Sequence, residues 1–262
     1  MIVRGYTQFQ SGQVHWRMLG CGLVPDLYCL HPAPFSGLAF TNIMPHLAKN
    51  RRTIAPDYPG HGGSDPSATA PSITDYANAM LAVIDDLSKG QQIDLLGFHT
   101  GCLIAAELAR LRPDCIRQIV MVDIPYFDAE TRKAMFSDAA NLFEIGPNLD
   151  CLAAPWERGM TRRIDSQGAT RSFEMFTEQL RHGAHMNAGF HAAMTYDCEA
   201  GFARLSKPVT AIASKSALLD ATRAAATAIP GAILIERLDI SRAVLDEAAA
   251  TMAATIIGGL AQ

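Results

Sequence analysis

The chain has 262 residues, of which 49% are hydrophobic and 18% charged, and a formal net charge of −4. That length suits one α/β-type domain with a large buried core. With no basic excess and no Lys/Arg tract beyond short pairs such as Arg162-Arg163, nothing neutralises a phosphate backbone, so no nucleic-acid partner is expected. The first residues, Met1 to Tyr6, lack the charged and apolar regions of a signal peptide. No run reaches the roughly 20 apolar residues of a bilayer span, so a soluble, cytoplasmic protein without a membrane partner is expected.

Residues 3–19 predict a β-hairpin: a run from Val3 to Phe9, a turn at Ser11-Gly12-Gln13, then Val14, Trp16 and Met18 alternating with polar residues. Short apolar runs follow at Leu27–Leu30, Thr53–Ala55, Ile93–Leu96, Ile119–Val122, Val209–Ile212 and Ile233–Ile235, which have the composition of buried parallel strands. Between them, Thr74–Leu87 and Cys102–Leu111 repeat apolar residues at helical spacing. Alternating strand and helix predict an α/β fold with a mostly parallel, doubly wound sheet. The alternation stops after Pro125. Residues 126–205 contain helical pieces and no strand pattern, which predicts a helical cap inserted between core segments 1–125 and 206–262. An Ala-rich helix from Asp246 to about Leu260 ends the chain, and the six cysteines are scattered without a C-x-x-C pair, giving neither a zinc knuckle nor a disulfide framework.

Ligands of open α/β sheets bind beyond the carboxyl ends of the strands, so the loops after the apolar runs carry the chemistry. One is His31-Pro32-Ala33-Pro34-Phe35-Ser36-Gly37, where two prolines leave Ala33 as an isolated N–H donor. Another, Asp57-Tyr58-Pro59-Gly60-His61-Gly62-Gly63-Ser64-Asp65, is rich in turn residues and reads as structural. The third, Gly97-Phe98-His99-Thr100-Gly101, sits between a strand and a helix, with glycines flanking a strained residue and a helix N-terminus facing developing negative charge.

In this order, with the cap and terminal helix, these motifs resemble the α/β-hydrolase fold family from about residue 3 to the end of the chain. The resemblance implies that His99 takes the nucleophile position usually held by serine. It also implies that the N–H groups of Ala33 and Thr100 form an oxyanion hole and that residues 126–205 cover the site. The family's chemistry is largely hydrolysis, with some lyases and cofactor-free oxygenases. Two departures stand out. The segment where the family's acid is expected reads Ala213-Ser214-Lys215-Ser216, with Ser216 in the acid's place, and no histidine follows the last strand, since the last in the chain is His191.

Asp123 ends the strand beside the elbow strand, and neighbouring strands lie about 4.8 Å apart, so its carboxylate is expected to reach His99, orient the ring and raise its pKa. His99 would then act as general base, the preferred role, or as nucleophile. Three functions stay open: an enzyme of hydrolase type on a small, largely apolar carbonyl-type substrate, an inactive ligand- or partner-binding protein, or a non-hydrolytic lyase or cofactor-free oxygenase. No cofactor or metal is expected. His31, Phe98, His191 and Arg242 are candidate substrate contacts, with loop orientation as the plainer role of His31, a buried polar role for His191 and a solvated one for Arg242. Cys102, in the first helical turn, is a candidate low-pKa thiol, though core packing suits it better. His182 and His185 share a spacing of three, too little for a metal site. Aromatic residues of the cap, among them Phe136, Phe143, Phe176 and Phe190, suggest an apolar cavity. The oligomeric state is left open, a homodimer included.

Overall fold

The structure, a computed structural model, describes residues 1–10, 12–22, 24–66, 71–139 and 145–261. Ser11 of the predicted turn, Phe143 and a short stretch of the predicted cap lie outside the described residues. The strands are β1 (Val3–Phe9), β2 (Gly12–Leu19), β3 (Leu27–Leu30), β4 (Thr53–Pro56), β5 (Ile93–Phe98), β6 (Ile116–Val122), β7 (Val209–Ser214) and β8 (Ile233–Arg237). They form one sheet in the order β1-β2-β4-β3-β5-β6-β7-β8. β1 and β2 pair antiparallel, β2 joins β4 antiparallel, and every pairing from β4 to β8 is parallel.

The apolar runs are continuous because both faces of the sheet are covered. Along β6, Ile119 and Met121 join one buried cluster while Val120 and Val122 join the other. The first cluster is completed by α2 (Ile73–Ser88), α3 (Thr100–Leu111) and α10 (Leu219–Ala228), and the second by α1 (Met44–Leu47) and α11 (Ala249–Gly259). A capping box between Ser72 and Asp75 starts α2. Two expectations need correction. The run Ile233–Ile235 is the edge strand and not a buried one, with Ile233 and Leu234 exposed. The last helix begins at Ala249 and not at Asp246. Asp246 is instead held outside the helix by Arg171 (2.9 Å), Gln167 (2.8 Å) and Asn42 (2.7 Å).

Between β6 and β7 the described residues contain no strand. They form α4 (Ala129–Ala139), α5 (Asp150–Trp156), α6 (Ile164–Gln167), α7 (Ala169–Leu180), α8 (Ala188–Thr195) and α9 (Cys198–Ala203). Pro155 lies within α5, where it removes one helical N–H, and a wider π-helical turn, Glu157–Thr161, follows. No helix of the described residues is long and apolar enough to cross a membrane.

Candidate active site

A cavity of about 770 Å³ opens at the carboxyl ends of β3, β5, β6, β7 and β8. Its sheet-side wall comes from the loop Pro32–Phe35, from Phe98 and His99, from Asp123, from Ser214 and Ser216, and from residues 241–246. The helices between β6 and β7 supply the opposite wall. This is the location that a parallel sheet dictates for a ligand.

His99 sits on the turn between β5 and α3 with φ 50° and ψ −119°, a left-handed conformation that costs a non-glycine residue about 1–3 kcal/mol. The turn is held from both sides: its N–H donates to Val122 O at 3.1 Å, and its carbonyl accepts from Cys102 N–H at 2.8 Å. Gly101 permits the bend, because a Cβ there would stand 2.0 Å from the Leu30 carbonyl oxygen. The imidazole lines the cavity against Phe98, with ring centroids 4.3 Å apart. Among the described residues no hydrogen bond or ion pair holds the His99 ring.

The expected His99–Asp123 contact is absent, which corrects the idea that this carboxylate orients the ring. Asp123, fully buried and with φ 51°, is turned to β7: Ser214 N–H donates to Oδ1 at 2.9 Å and Ser214 Oγ–H to Oδ2 at 2.7 Å. Adjacent strand ends bring the two residues together, but the side chain bonds the neighbour on its other side. The expected rise in the His99 pKa is also reversed. Burial lowers it to about 4; Asp123 pulls it up, without overcoming burial, and the Arg163 charge lowers it further.

Ala33 lines the cavity at the second position of a turn closed by Phe35 N–H to Pro32 O at 3.0 Å. Thr100 is not part of the cavity wall. It is the first residue of α3, where a backbone N–H precedes the helical bonding pattern. Of the other candidate contacts, Phe98 and Arg242 line the cavity and His31 and His191 do not. His31 is fully buried, stacks on Tyr58 at 3.7 Å, accepts Tyr58 N–H at Nε2 (3.2 Å) and approaches Pro32 O through Nδ1 (3.1 Å). Burial lowers its pKa to about 3, so it is a neutral support for the loop carrying Ala33. His191, on α8, is drawn onto Phe136 at 4.6 Å. Arg242 is exposed and pairs with Glu247 at 3.2 Å. Ser216 does line the cavity.

Cys102 is buried and its pKa is raised by that burial, so the low-pKa thiol is excluded. His182 packs against His61 at 4.5 Å and bonds Gly60 O, and no group of three metal-ligand residues occurs among the described residues. The loop after β4 is structural: buried Asp57 accepts from Arg17 (2.7 Å), Gly37 N–H (2.8 Å) and Gly63 N–H (2.9 Å), and contacts His15 at 2.8 Å. Burial pushes its pKa up, but His15 and Arg17 hold it down at about 2.

The sequence reading missed the arginines. Arg158, Arg162 and Arg163 join Arg242 in a wall that the cap aromatics were expected to make apolar, and of those named that lie among the described residues only Phe190 lines it. The signal was present only as the pair Arg162-Arg163.

A family profile described as alpha/beta hydrolase fold matches residues 25–145. Together with the sheet order and the solved structures, this match shows that the chain has the α/β-hydrolase fold. Among its relatives are a 2-hydroxymuconate semialdehyde hydrolase of Pseudomonas sp., 40% identical over 57% of this chain and 49% of the relative, and a 2-(acetamidomethylene)succinate hydrolase of Mesorhizobium japonicum, 31% identical over 44% and 41%. These matches span less than half the length of either relative. A Pseudomonas aeruginosa hydrolase superposes with a TM-score of 0.81 at 17% identity, covering 99% of this chain and 98% of that one. The enol-lactonase of Burkholderia xenovorans does so at 0.80 and 19%, covering 98% and 100%.

Proposed function

We propose that the chain is a hydrolase of small carbonyl compounds in which neutral His99 acts as a general base on water. The helical segment 126–205 serves as the cap, and Ala33 and Thr100 N–H groups receive the negative charge that develops on the substrate oxygen. One observation carries the reading: an imidazole at the strained strand-to-helix turn, facing a cavity of about 770 Å³, its ring without a hydrogen bond or ion pair among the described residues. A pKa near 4 supports it, because the ring is then unprotonated, and able to take a proton, throughout the neutral range. Relatives named as hydrolases support the reaction class.

The test is turnover of a panel of small esters and lactones by the intact chain and by His99→Gln, which keeps the polar bulk but accepts no proton. A loss of about 100-fold or more is expected, as for removal of a general base. Equal rates remove His99 from the mechanism. A second reading, a ligand-binding protein without turnover, is favoured because no acid among the described residues bonds His99. Binding across the panel without product would establish that reading instead.

A further inference from the structure

Arg163 lies between the π-helical turn and α6, half-buried, in the cavity wall. Its guanidinium stands 5.0 Å from the centroid of the Phe35 ring, which belongs to the loop that carries Ala33. Among the described residues it forms no ion pair within 4.0 Å. A charged group taken out of water without a counter-ion is costly, and a fixed, planar guanidinium is the donor best matched to a carboxylate.

Asp246 is the cavity-wall acid whose charge reaches Arg163, but it forms no ion pair with it within 4.0 Å. Asp123 accepts two hydrogen bonds from Ser214, and Asp246 is engaged by Arg171, Gln167 and Asn42. The remaining charges add to the same field. Arg158 is exposed and without an ion pair among the described residues, while Arg162 and Arg242 reach only the exposed glutamates Glu157 (3.4 Å) and Glu247 (3.2 Å). Arg158 and Arg163 are thus the wall's arginines without an ion pair among the described residues, and two uncompensated positive charges in one wall attract an anion.

We propose that the cavity takes a carboxylate-bearing acyl compound, the carboxylate bound by Arg163 and the carbonyl presented to His99. The assignment rests on the reading of this cavity as the place where His99 acts. Arg163 is the anchor, since it is the cavity arginine that combines partial burial, an aromatic face beneath it and, among the described residues, no ion pair within 4.0 Å. Arg158, exposed and without an ion pair among the described residues, adds a second positive charge to the same wall. Phe35, Met175 and Phe190 enclose the chain between the two polar ends.

The test uses monomethyl glutarate and dimethyl glutarate, which share an ester and differ in one negative charge. Binding to His99→Ala, where turnover is blocked, is measured by titration calorimetry, and turnover is measured on the unchanged chain. The monoester is expected to bind at least about tenfold more tightly, a difference of about 1.4 kcal/mol. The preference should vanish in Arg163→Gln, return in part in Arg163→Lys and weaken as salt rises. Equal binding of both esters, no measurable binding of the monoester, or a preference surviving Arg163→Gln overturns the proposal. The charge comparison on the protein with Arg163 intact decides the matter if Arg163→Gln does not fold. Monoester binding without turnover refutes the hydrolase reading alone, and turnover of both esters at equal efficiency refutes the carboxylate site alone.

Discussion

Gly101→Ala tests whether the elbow is built as tightly as its geometry states. The added Cβ would lie 2.0 Å from the Leu30 carbonyl oxygen and 2.6 Å from its carbonyl carbon, where ordinary contacts begin at 3.4 Å. Both obstacles are backbone at the end of β3, a strand buried along its whole length, so no side chain can rotate away. The strand and helix must separate by more than an ångström. Core insertions that move side chains cost about 1–3 kcal/mol, and a shift of sheet backbone should reach at least the top of that range. For a chain of this size that is a fall in Tm of about 6–12 °C. The control is Gly258→Ala, in α11, where an added Cβ meets nothing within 4 Å. It should stabilise by up to about 1 kcal/mol, through helix propensity alone. Chemical denaturation of both variants gives the comparison. A Gly101→Ala protein as stable as the unchanged chain would mean that the close approach of α3 to β3 is wrong, and the placement of His99 with it.

The acid limb of kcat/KM should fall near pH 4, to which partial removal from water lowers the His99 pKa, and a limb near the ordinary histidine value of 6.5 would contradict that shift. Stability should fall as the pH drops from 6.5 towards 4, and the fall should begin above the ordinary carboxylate range. The folded pKa values of His31 (about 3) and His99 (about 4) lie below the unfolded value, and His61 and His182 are also lowered, so the unfolded chain binds the extra protons and is favoured as the pH drops. His31 alone accounts for about 3 kcal/mol over that window. Thermal melting across the range measures it, and a flat profile down to pH 4 would refute the buried neutral histidines. Asp123→Asn can keep both contacts to Ser214, so stability should change by less than about 1 kcal/mol and activity by less than tenfold. A loss as deep as that of His99→Gln would restore the dyad.

The parallel strands were legible because burial on both faces leaves uninterrupted apolar runs, and the edge strand was misread because Ile233–Ile235 carries the same composition without the same cover. The elbow was legible because glycine at 97 and 101 records the crowding of a strand-to-helix turn directly. The orientation of Asp123 was not. Strand adjacency brings 99 and 123 together, but β7, paired through Val122↔Ile212, brings the Ser214 donors to the same carboxylate, and only the folded register reveals the competition. Nor does a motif state how deeply its central residue is buried, which is why the sign of the His99 shift came out reversed. The arginine wall was hidden because Pro155 and the π-helical turn break the 3.6-residue spacing from which a helix face is read.

These corrections bear on one another. Burial first, and the positive charge of Arg163 in addition, make the His99 ring a weak base. A carboxylate bound to Arg163 would cancel that charge where His99 feels it, and the ring's affinity for a proton would rise with the ligand in place. Binding and base strength are then linked by the same two groups: the negative charge that selects the substrate also favours the proton transfer that begins its hydrolysis. On this account a neutral ester loses twice, in affinity and in the rate once bound. The acid limb of kcat, which reports the complex, should therefore lie above that of kcat/KM for the monoester and coincide with it for the diester.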